Sequence, residues 1–437
     1  MSGVTLIWGG LKLLSLFKTY AGLSRTIYYL CLARTINSTG DFVFSLITLV
    51  LTLQMGMNVV SAGIFVSMAA LISGPGVLLG GYLSDLMGKK TIIVIGQSLS
   101  ALLIICCSFW SGTITIGYLL IAVMFFISIT RPAYNALIIQ LCTEEKERKS
   151  AFSLMYLGAN LGIAIGPLIA GFFIKDHVNI VFISIGTVFL ISTFIIINQV
   201  KVGAHKAVAS TGSPHAEQQL SSQPPSPLFR LLMKNPLIAF FIVVSFLNYF
   251  IYMQYSFSLP LQMNHSFGEN GAAYYGSVMT INAISVIILT TLILSATRKL
   301  TALNSIAMGA LFYGIGFGAL NLLGYFPHFS IVALSTVLWT IGEILVQTNI
   351  NLYIAARVPD THQGRFNGLL LFVGCLGYTL SPYLTGIFIK NMDMKSVWII
   401  ILAFSLVYAL CMILLGYIEK SSIRKSEMEL LDQSNSV

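Results

Sequence analysis

Runs of about 20 apolar residues recur along this chain at short intervals, and that recurrence limits its fold more than any other feature. A helix needs roughly 20 residues to cross the hydrocarbon core of a bilayer, at about 1.5 Å per residue. Such runs lie near residues 29–54, 59–83, 91–109, 116–141, 151–174 and 180–199, and again near 236–260, 272–296, 302–324, 328–356, 364–389 and 395–418. A soluble domain carries about 25% charged residues. This chain carries 9%, with 56% hydrophobic residues and a mean hydropathy of +0.86. It cannot clothe its surface with polar groups in water. The predicted fold class is therefore all-α and integral to a membrane, with twelve transmembrane helices.

The net charge of +9 would suit a nucleic-acid partner if it were clustered. It is instead spread over short segments between apolar runs, which argues against one. The cysteines Cys31, Cys106, Cys107, Cys142, Cys375 and Cys411 include no CxxC pair and fall mostly in apolar stretches. They read as small core residues, not as a disulfide framework or metal site. Residues 1–28 form a weakly amphipathic basic segment (Lys12, Lys18, Arg25) with no small-residue cleavage site, so no cleaved signal peptide is expected.

Residues 200–235 are the one long polar stretch, rich in Ser, Gln and Pro, as in Gln223-Pro224-Pro225-Ser226-Pro227. They read as a flexible linker between a first half, 29–199, and a second, 236–418, followed by a tail, 419–437. Placing the linker and both termini in the cytoplasm puts 19 of the 24 Lys and Arg residues on the inner side. Only Lys175, Lys390 and Lys395 then lie outside, as the positive-inside rule requires. The halves also repeat. Gly162, Pro167 and Gly171 recur 215 residues later as Gly377, Pro382 and Gly386, with a similar Phe-Ile-Lys tail. Two parallel six-helix repeats place a cargo site at their interface, near mid-membrane.

Between the second and third runs the chain reads Gly80-Gly81-Tyr82-Leu83-Ser84-Asp85-Leu86-Met87-Gly88-Lys89-Lys90. This resembles the G-x-L-x-D-R-x-G-R/K-R/K signature of the major facilitator superfamily. Gly81, Leu83, Asp85, Gly88, Lys89 and Lys90 fit, and Leu86 stands where the family usually has Arg. In the family this loop is a conformational latch, so the resemblance assigns that role to Gly81, Asp85, Gly88, Lys89 and Lys90. The matching second-half loop, Ser295 to Lys299, keeps only a basic pair. The fifth run, Gly158 to Gly171, resembles the G-x3-G-P-x2-G-G pattern of the family's proton-coupled exporters, with Ala170 replacing one glycine. Gly162, Gly166, Pro167 and Gly171 are expected to let that helix pack closely and bend.

An ionisable side chain at mid-membrane costs about 2.5–3.5 kcal/mol and is by default a functional candidate. Away from their ends, the runs hold only Arg34, Asp41, Arg131 and Glu343. The six histidines fall outside them or, for His328, at the very end of one, so no haem or His-metal site, and no other cofactor, is expected. Arg34 and Asp41 lie seven residues apart, on nearly one helix face and about 10 Å apart in rise. The family often carries an Arg in the fourth span that is linked to proton transfer, and Arg131 takes that place. The glycine of that motif is not matched, and the run reads Arg131-Pro132-Ala133-Tyr134-Asn135. Asp41, Arg131 and Arg34 thus form the expected proton-coupling group, with a static buried pair as the alternative. Glu343 forms a polar stripe with Gln347 and Asn351 at four-residue steps, in a half whose spans hold no Lys or Arg away from their ends. It reads as a cavity carboxylate that binds a cation or a proton, or as a locally hydrogen-bonded acid. Gln347, Asn37, Asn135, Asn248, Tyr249 and Tyr252 are further candidate cargo contacts, with helix packing as the other reading of each.

The resemblance implies a proton-coupled exporter of small amphipathic or cationic compounds, working by alternating access in the inner or plasma membrane. The alternative is a proton-coupled importer of a sugar, peptide or organic anion. Expected partners are a small-molecule cargo, protons and the lipid bilayer, with the chain itself a monomer. No nucleotide loop, nucleophile elbow or metal-ligand spacing points to an enzyme.

Overall fold

A computed structural model describes residues 22–40, 47–110, 112–142, 144–173, 177–201, 233, 235–358 and 360–435. Among them all regular structure is helical. The helices are α1 (Arg25–Ser38), α2 (Val59–Met87), α3 (Lys89–Cys107), α4 (Thr115–Leu141), α5 (Glu145–Phe173), α6 (Val178–Gln199), α7 (Pro236–Tyr252), α8 (Ser258–Phe267), α9 (Gly271–Thr297), α10 (Ala302–Ala319), α11 (Phe329–Ala355), α12 (Asp360–Asn391) and α13 (Met394–Asn435). A π-helical turn, Val50–Gln54, precedes α2. Asp41 and nearly all of the expected linker lie outside the described residues.

Helix starts follow local chemistry. Ser24 caps α1 by accepting from the Ile27 N–H, and Thr301 caps α10 by accepting from the Asn304 N–H. Pro236 opens α7, where its missing N–H costs nothing. Inside the apolar helices, hydroxyls bond back to their own backbone, as Thr340 does to the Thr336 carbonyl at 2.7 Å. That disposes of a polar group where no water competes.

Ten stretches of the described residues are long and apolar enough to cross a membrane. One of them, Pro236–Thr297, has 62 residues, too many for one crossing, and Gly268 at φ 53° divides it between α8 and α9. The first expected span comprises α1 and the π-turn, with 41–46 between them outside the described residues.

Three departures from the expected spans have physical causes. The seventh breaks after Tyr252, because Pro260 in the first turn of α8 cannot continue the α7 ladder. It then resumes to Phe267, so His265 is helical. Helix α5 begins at Glu145, its charged first turns being good helix formers. Helix α13 runs 42 residues, carrying the expected tail as continuous helix.

The chain forms two compact units. Unit 1 comprises residues up to Asn58, Met68–Gly203 and Met263–Ile287. Within it α3 packs on α4 and α6, and α1 packs on α5 and α6. Unit 2 comprises Val59–Ser67, Ala204–Gln262 and Ile288–Val437. There α10 packs on α11 and α13, and α7 packs on α12 and α13, the same pairings one half later.

The repeated Gly and Pro residues make matching contacts. In unit 1, Gly162 lies against Thr35 and Ser38 of α1, and Gly276 of α9 lies against the Pro167 carbonyl. In unit 2, Gly377 lies against Phe246, Tyr249 and Phe250 of α7, and Gly63 of α2 lies against the Pro382 carbonyl. A Cβ at Gly63 would sit 2.6 Å from that oxygen, closer than any side chain tolerates. The Thr280 hydroxyl adds a 2.6 Å bond to the Ala164 carbonyl, in the turn that Pro167 weakens. Two six-helix repeats are thus present as packing and not only as sequence.

Candidate functional site

In unit 2, the middle of α11 faces the broken end of α7. Glu343 is half-buried there, and the Tyr252 hydroxyl donates to its Oε1 at 2.7 Å. Aromatic rings surround the pair. The Tyr252 ring lies 4.8 Å from Tyr255 and 6.2 Å from Tyr313, and Tyr255 stacks on Trp339 at 6.2 Å. Beyond them Phe317 lies nearly parallel between Trp339 and Trp398, at 5.5 and 6.1 Å. Gly342, next to Glu343, admits the Tyr313 ring, because a Cβ there would lie 2.9 Å from it. Gln347, one turn on, lies beside the Tyr313 hydroxyl without forming a well-aligned hydrogen bond. The result is a carboxylate clasped by a neutral donor and walled by ring faces, an arrangement that suits an organic cation.

The break in the seventh span is pinned next to this pair. Gln254 is fully buried, and its Nε2 donates to the Ser381 hydroxyl at 2.8 Å, the Thr385 hydroxyl at 3.1 Å and the Phe250 carbonyl at 3.2 Å. Its Oε1 accepts from the Ser258 hydroxyl across the break. The broken helix is therefore tied to α12 at the turn that carries Pro382.

In unit 1 the polar groups are knitted together. The Gln97 Nε2 donates to the Tyr134 hydroxyl at 2.8 Å and to Ser192 at 3.4 Å, while its Oε1 accepts from Thr193 at 3.2 Å. Ser192 in turn donates to the Ala33 carbonyl at 2.7 Å. Helices α1, α3, α4 and α6 are thereby linked. Arg34 is half-buried, with its guanidinium 5.7 Å from the Tyr134 ring centroid.

The sequence candidates separate as follows. Glu343, Tyr252 and Gln347 gather at one place. Tyr249 is half-buried one turn before the Glu343 clasp, its ring edge-on to Tyr378 at 5.3 Å. Asn248 is fully buried, with neither amide atom bonded. Asn37 is buried on α1, and Asn135 is exposed on α4. Arg131 is exposed beside Pro132 and makes no ion pair with a described residue. Its expected partner Asp41 lies outside the described residues.

In the latch segment, Gly88 holds φ 90° between α2 and α3, a turn that requires glycine. Lys90 donates from Nζ to the Ile197 carbonyl at 2.8 Å, capping the last turn of α6, while Lys89 is half-buried and Asp85 exposed. The close helix approach falls to Gly80, against the Ile129 carbonyl of α4, and Gly81 faces open space. In α5, Gly162, Gly166 and Pro167 are buried, and Gly171 lies in the last turn.

Sequence reasoning missed Gln97, Gln254, Tyr255, Tyr313 and Trp339. The two glutamines were visible as lone amides in apolar runs. The aromatic residues were hidden because they count as ordinary apolar filling. Outside the spans it also missed Arg357, which pairs with Glu419 through Nε–Oε1 and through Nη2–Oε2 at 2.8 Å and lies 4.1 Å over the Tyr353 ring. Burial alone would lower the Arg357 pKa, but the Glu419 carboxylate holds it above its ordinary value.

Comparison with known proteins gives a consistent picture. The family model described as Major Facilitator Superfamily matches residues 30–382. The uncharacterized MFS-type transporter YqjV of Bacillus subtilis (strain 168) is 24% identical over 341 residues, covering 77% of this chain and 79% of its own. Among solved structures, a POT family transporter in complex with 5-aminolevulinic acid superposes with a TM-score of 0.72 at 16% identity, covering 90% of this chain and 96% of its own. The nucleoside transporter NupG gives 0.69 at 14% identity, covering 89% and 99%. At such identities the likeness to the solved structures is one of fold.

Proposed function

Because the chain belongs to the Major Facilitator Superfamily, we propose that this membrane transporter is a secondary active carrier that exchanges protons for small cationic or amphipathic compounds, with Glu343 as the carboxylate for which the two compete. The observation that carries this reading is the clasp of Glu343 by Tyr252 inside a wall of Tyr255, Tyr313 and Trp339. The ionised carboxylate and the ring faces attract a desolvated cation, and a proton arriving at the carboxylate cancels that attraction. Cargo and proton then bind in alternation, which is the requirement for antiport. In this reading Arg34, Arg131 and Asp41 adjust the coupling from the first half.

Export is the proposed direction, supported by the Gly162 to Gly171 pattern of the fifth span. The orientation proposed has both termini cytoplasmic in a cell membrane, following the Lys and Arg bias, and the working unit is a monomer. The polar segment 200–235 serves as the linker between halves.

A second reading, proton-coupled import of a sugar, peptide or organic anion, is favoured by one observation. Arg131 is an exposed cation midway along α4, and Arg34 is held half-buried on α1. An anionic cargo group would find both.

The test is flux into and out of proteoliposomes under an imposed pH gradient, with a panel of cationic dyes, small peptides and organic anions. Export predicts gradient-driven movement of cations against the proton flow, lost in Glu343→Gln. Movement of anions or peptides with the protons, unaffected by Glu343→Gln, would overturn the exporter reading in favour of import.

A further inference from the structure

Trp339 and Trp398 are both fully buried in unit 2, yet their indole N–H groups differ. Trp398 donates from Nε1 to Gln262 Oε1 at 2.7 Å, whereas Trp339 Nε1 has no hydrogen-bond partner. The Tyr313 hydroxyl, beside Gln347 but not aligned with it, and both amide atoms of Asn248 likewise form no hydrogen bond. All three residues are at most 1% exposed.

Their placement is not scattered. Trp339 lies one turn before Glu343 on α11, and Asn248 lies one turn before Tyr252 on α7. The Tyr313 ring packs on Gly342 and lies 6.2 Å from the Tyr252 ring. These atoms therefore lie on turns next to Glu343 and Tyr252, while other unbonded atoms of the unit, at Ser67, Tyr353, Thr379 and Tyr408, lie elsewhere along the chain.

Each orphaned donor or acceptor costs about 1–3 kcal/mol if it stays unsatisfied. A dry interior would be more stable with Leu at 248 and Phe at 313, which keep the volume and remove the polar atom. A polar interior with several convergent donors and acceptors instead holds water, whereas an apolar one stays dry. We propose that the interior of unit 2 beside Glu343 binds a cluster of water molecules, held by Asn248, Tyr313 and Trp339, and that this cluster carries the proton to and from the Glu343 carboxyl. On release, the carboxyl O–H bond breaks, the proton joins the adjoining water as hydronium and passes along the hydrogen-bonded chain, and Glu343 remains as carboxylate. Uptake is the reverse. The relay rests on the reading of Glu343 as the carboxylate that exchanges protons; the water site itself does not.

Hydroxyl-radical footprinting tests the site directly. Radiolysis of water in the purified full-length protein oxidises side chains that touch bound water, and mass spectrometry locates them. Trp339 and Tyr313 should be oxidised although buried, and Trp398, equally buried but satisfied by protein, should not. Labelling of Trp339 and Tyr313 no stronger than that of Trp398 would overturn the site. Thermal unfolding of Tyr313→Phe and Asn248→Leu gives a second readout with a definite sign. Loss of water bonds lowers Tm by about 2–4 °C. A rise, or no change, in both variants means that the atoms were dry and defeats the proposal. For the relay, Tyr313→Phe should slow gradient-driven flux severalfold more than cargo exchange, and equal slowing of both defeats it. Footprinting and unfolding use no transport assay. A wild-type protein without gradient-driven flux would therefore sink the proposed function and leave the water site standing.

Discussion

In unit 1 the buried amide of Gln97 bonds to Tyr134, Ser192 and Thr193 on two neighbouring helices, and Ser192 passes the chain of bonds to the Ala33 carbonyl. In unit 2 the buried amide of Asn248 bonds to no described residue, and Glu343 nearby accepts from the Tyr252 hydroxyl. Both regions place polar groups in the middle of apolar helices, which is costly unless they are satisfied. Around Gln97, unit 1 satisfies them with protein, and the product is fixed helix register, although Asn37, Ser38 and Ser128 keep unbonded atoms elsewhere in that unit. Around Glu343, unit 2 leaves atoms unbonded, and in the proposed function this is where a solute, a proton or water binds. Under the proposed function, rigidity belongs to the Gln97 region and chemistry to the Glu343 region.

The largest effect should come from the chemical side. Glu343→Gln keeps the shape and a hydrogen bond to Tyr252 but cannot ionise. Gradient-driven flux of cations should fall to background while thermal unfolding stays near wild type. An inactive variant that also unfolds early would place Glu343 with the structural residues and break the contrast.

The next effect should come from the rigid side. Gln97→Leu strips three buried groups of a partner and should destabilise the protein by about 2–3 kcal/mol in thermal or denaturant unfolding. The folded fraction should still transport. A variant that unfolds normally but no longer transports would move Gln97 to the working machinery.

A paired substitution then asks whether the units are mechanically alike. Gly276→Ala and Gly63→Ala each push a methyl against a proline carbonyl and should cost about 1–3 kcal/mol apiece. Equal losses sharpen the repeat. A large loss in only one would show that the matching contacts do not share the work.

The last effect falls on binding rather than stability: Tyr252→Phe removes one hydrogen bond to a charged group but leaves the ring. Cargo binding should weaken by roughly 1.5–3 kcal/mol, about 10- to 150-fold in Kd, measured by equilibrium binding of a transported dye. An unchanged Kd would mean that the clasp holds Glu343 only in the cargo-free protein.

The spans were legible in the sequence because a bilayer imposes one period and one length on every crossing. The repeat was legible too, because Gly162, Pro167, Gly377 and Pro382 are residue types that backbone contact alone can require. What the residues contact was much less so. Pro260 was readable as a helix breaker, but the tie that holds the break, Gln254 to Ser381 and Thr385, joins residues over 120 apart in sequence. Tyr252 and Glu343 were each singled out for polarity, yet nothing in the sequence said that they touch. Tyr313 and Trp339 looked like filling, since hydropathy scores a ring and ignores its one polar atom. Those atoms are what distinguish the surroundings of Glu343 from those of Gln97.

The facing of Gly276 on Pro167 and of Gly63 on Pro382 has a consequence for how such a chain can change over time. Most contacts between helices can drift, because a lost methyl on one side can be regained on the other. A carbonyl pressed against a bare Cα offers no such trade, since no side chain exists that is smaller. Two copies of an ancestral segment can therefore diverge almost everywhere else while these two glycines stay fixed. The mark of doubling survives longest where backbone meets backbone.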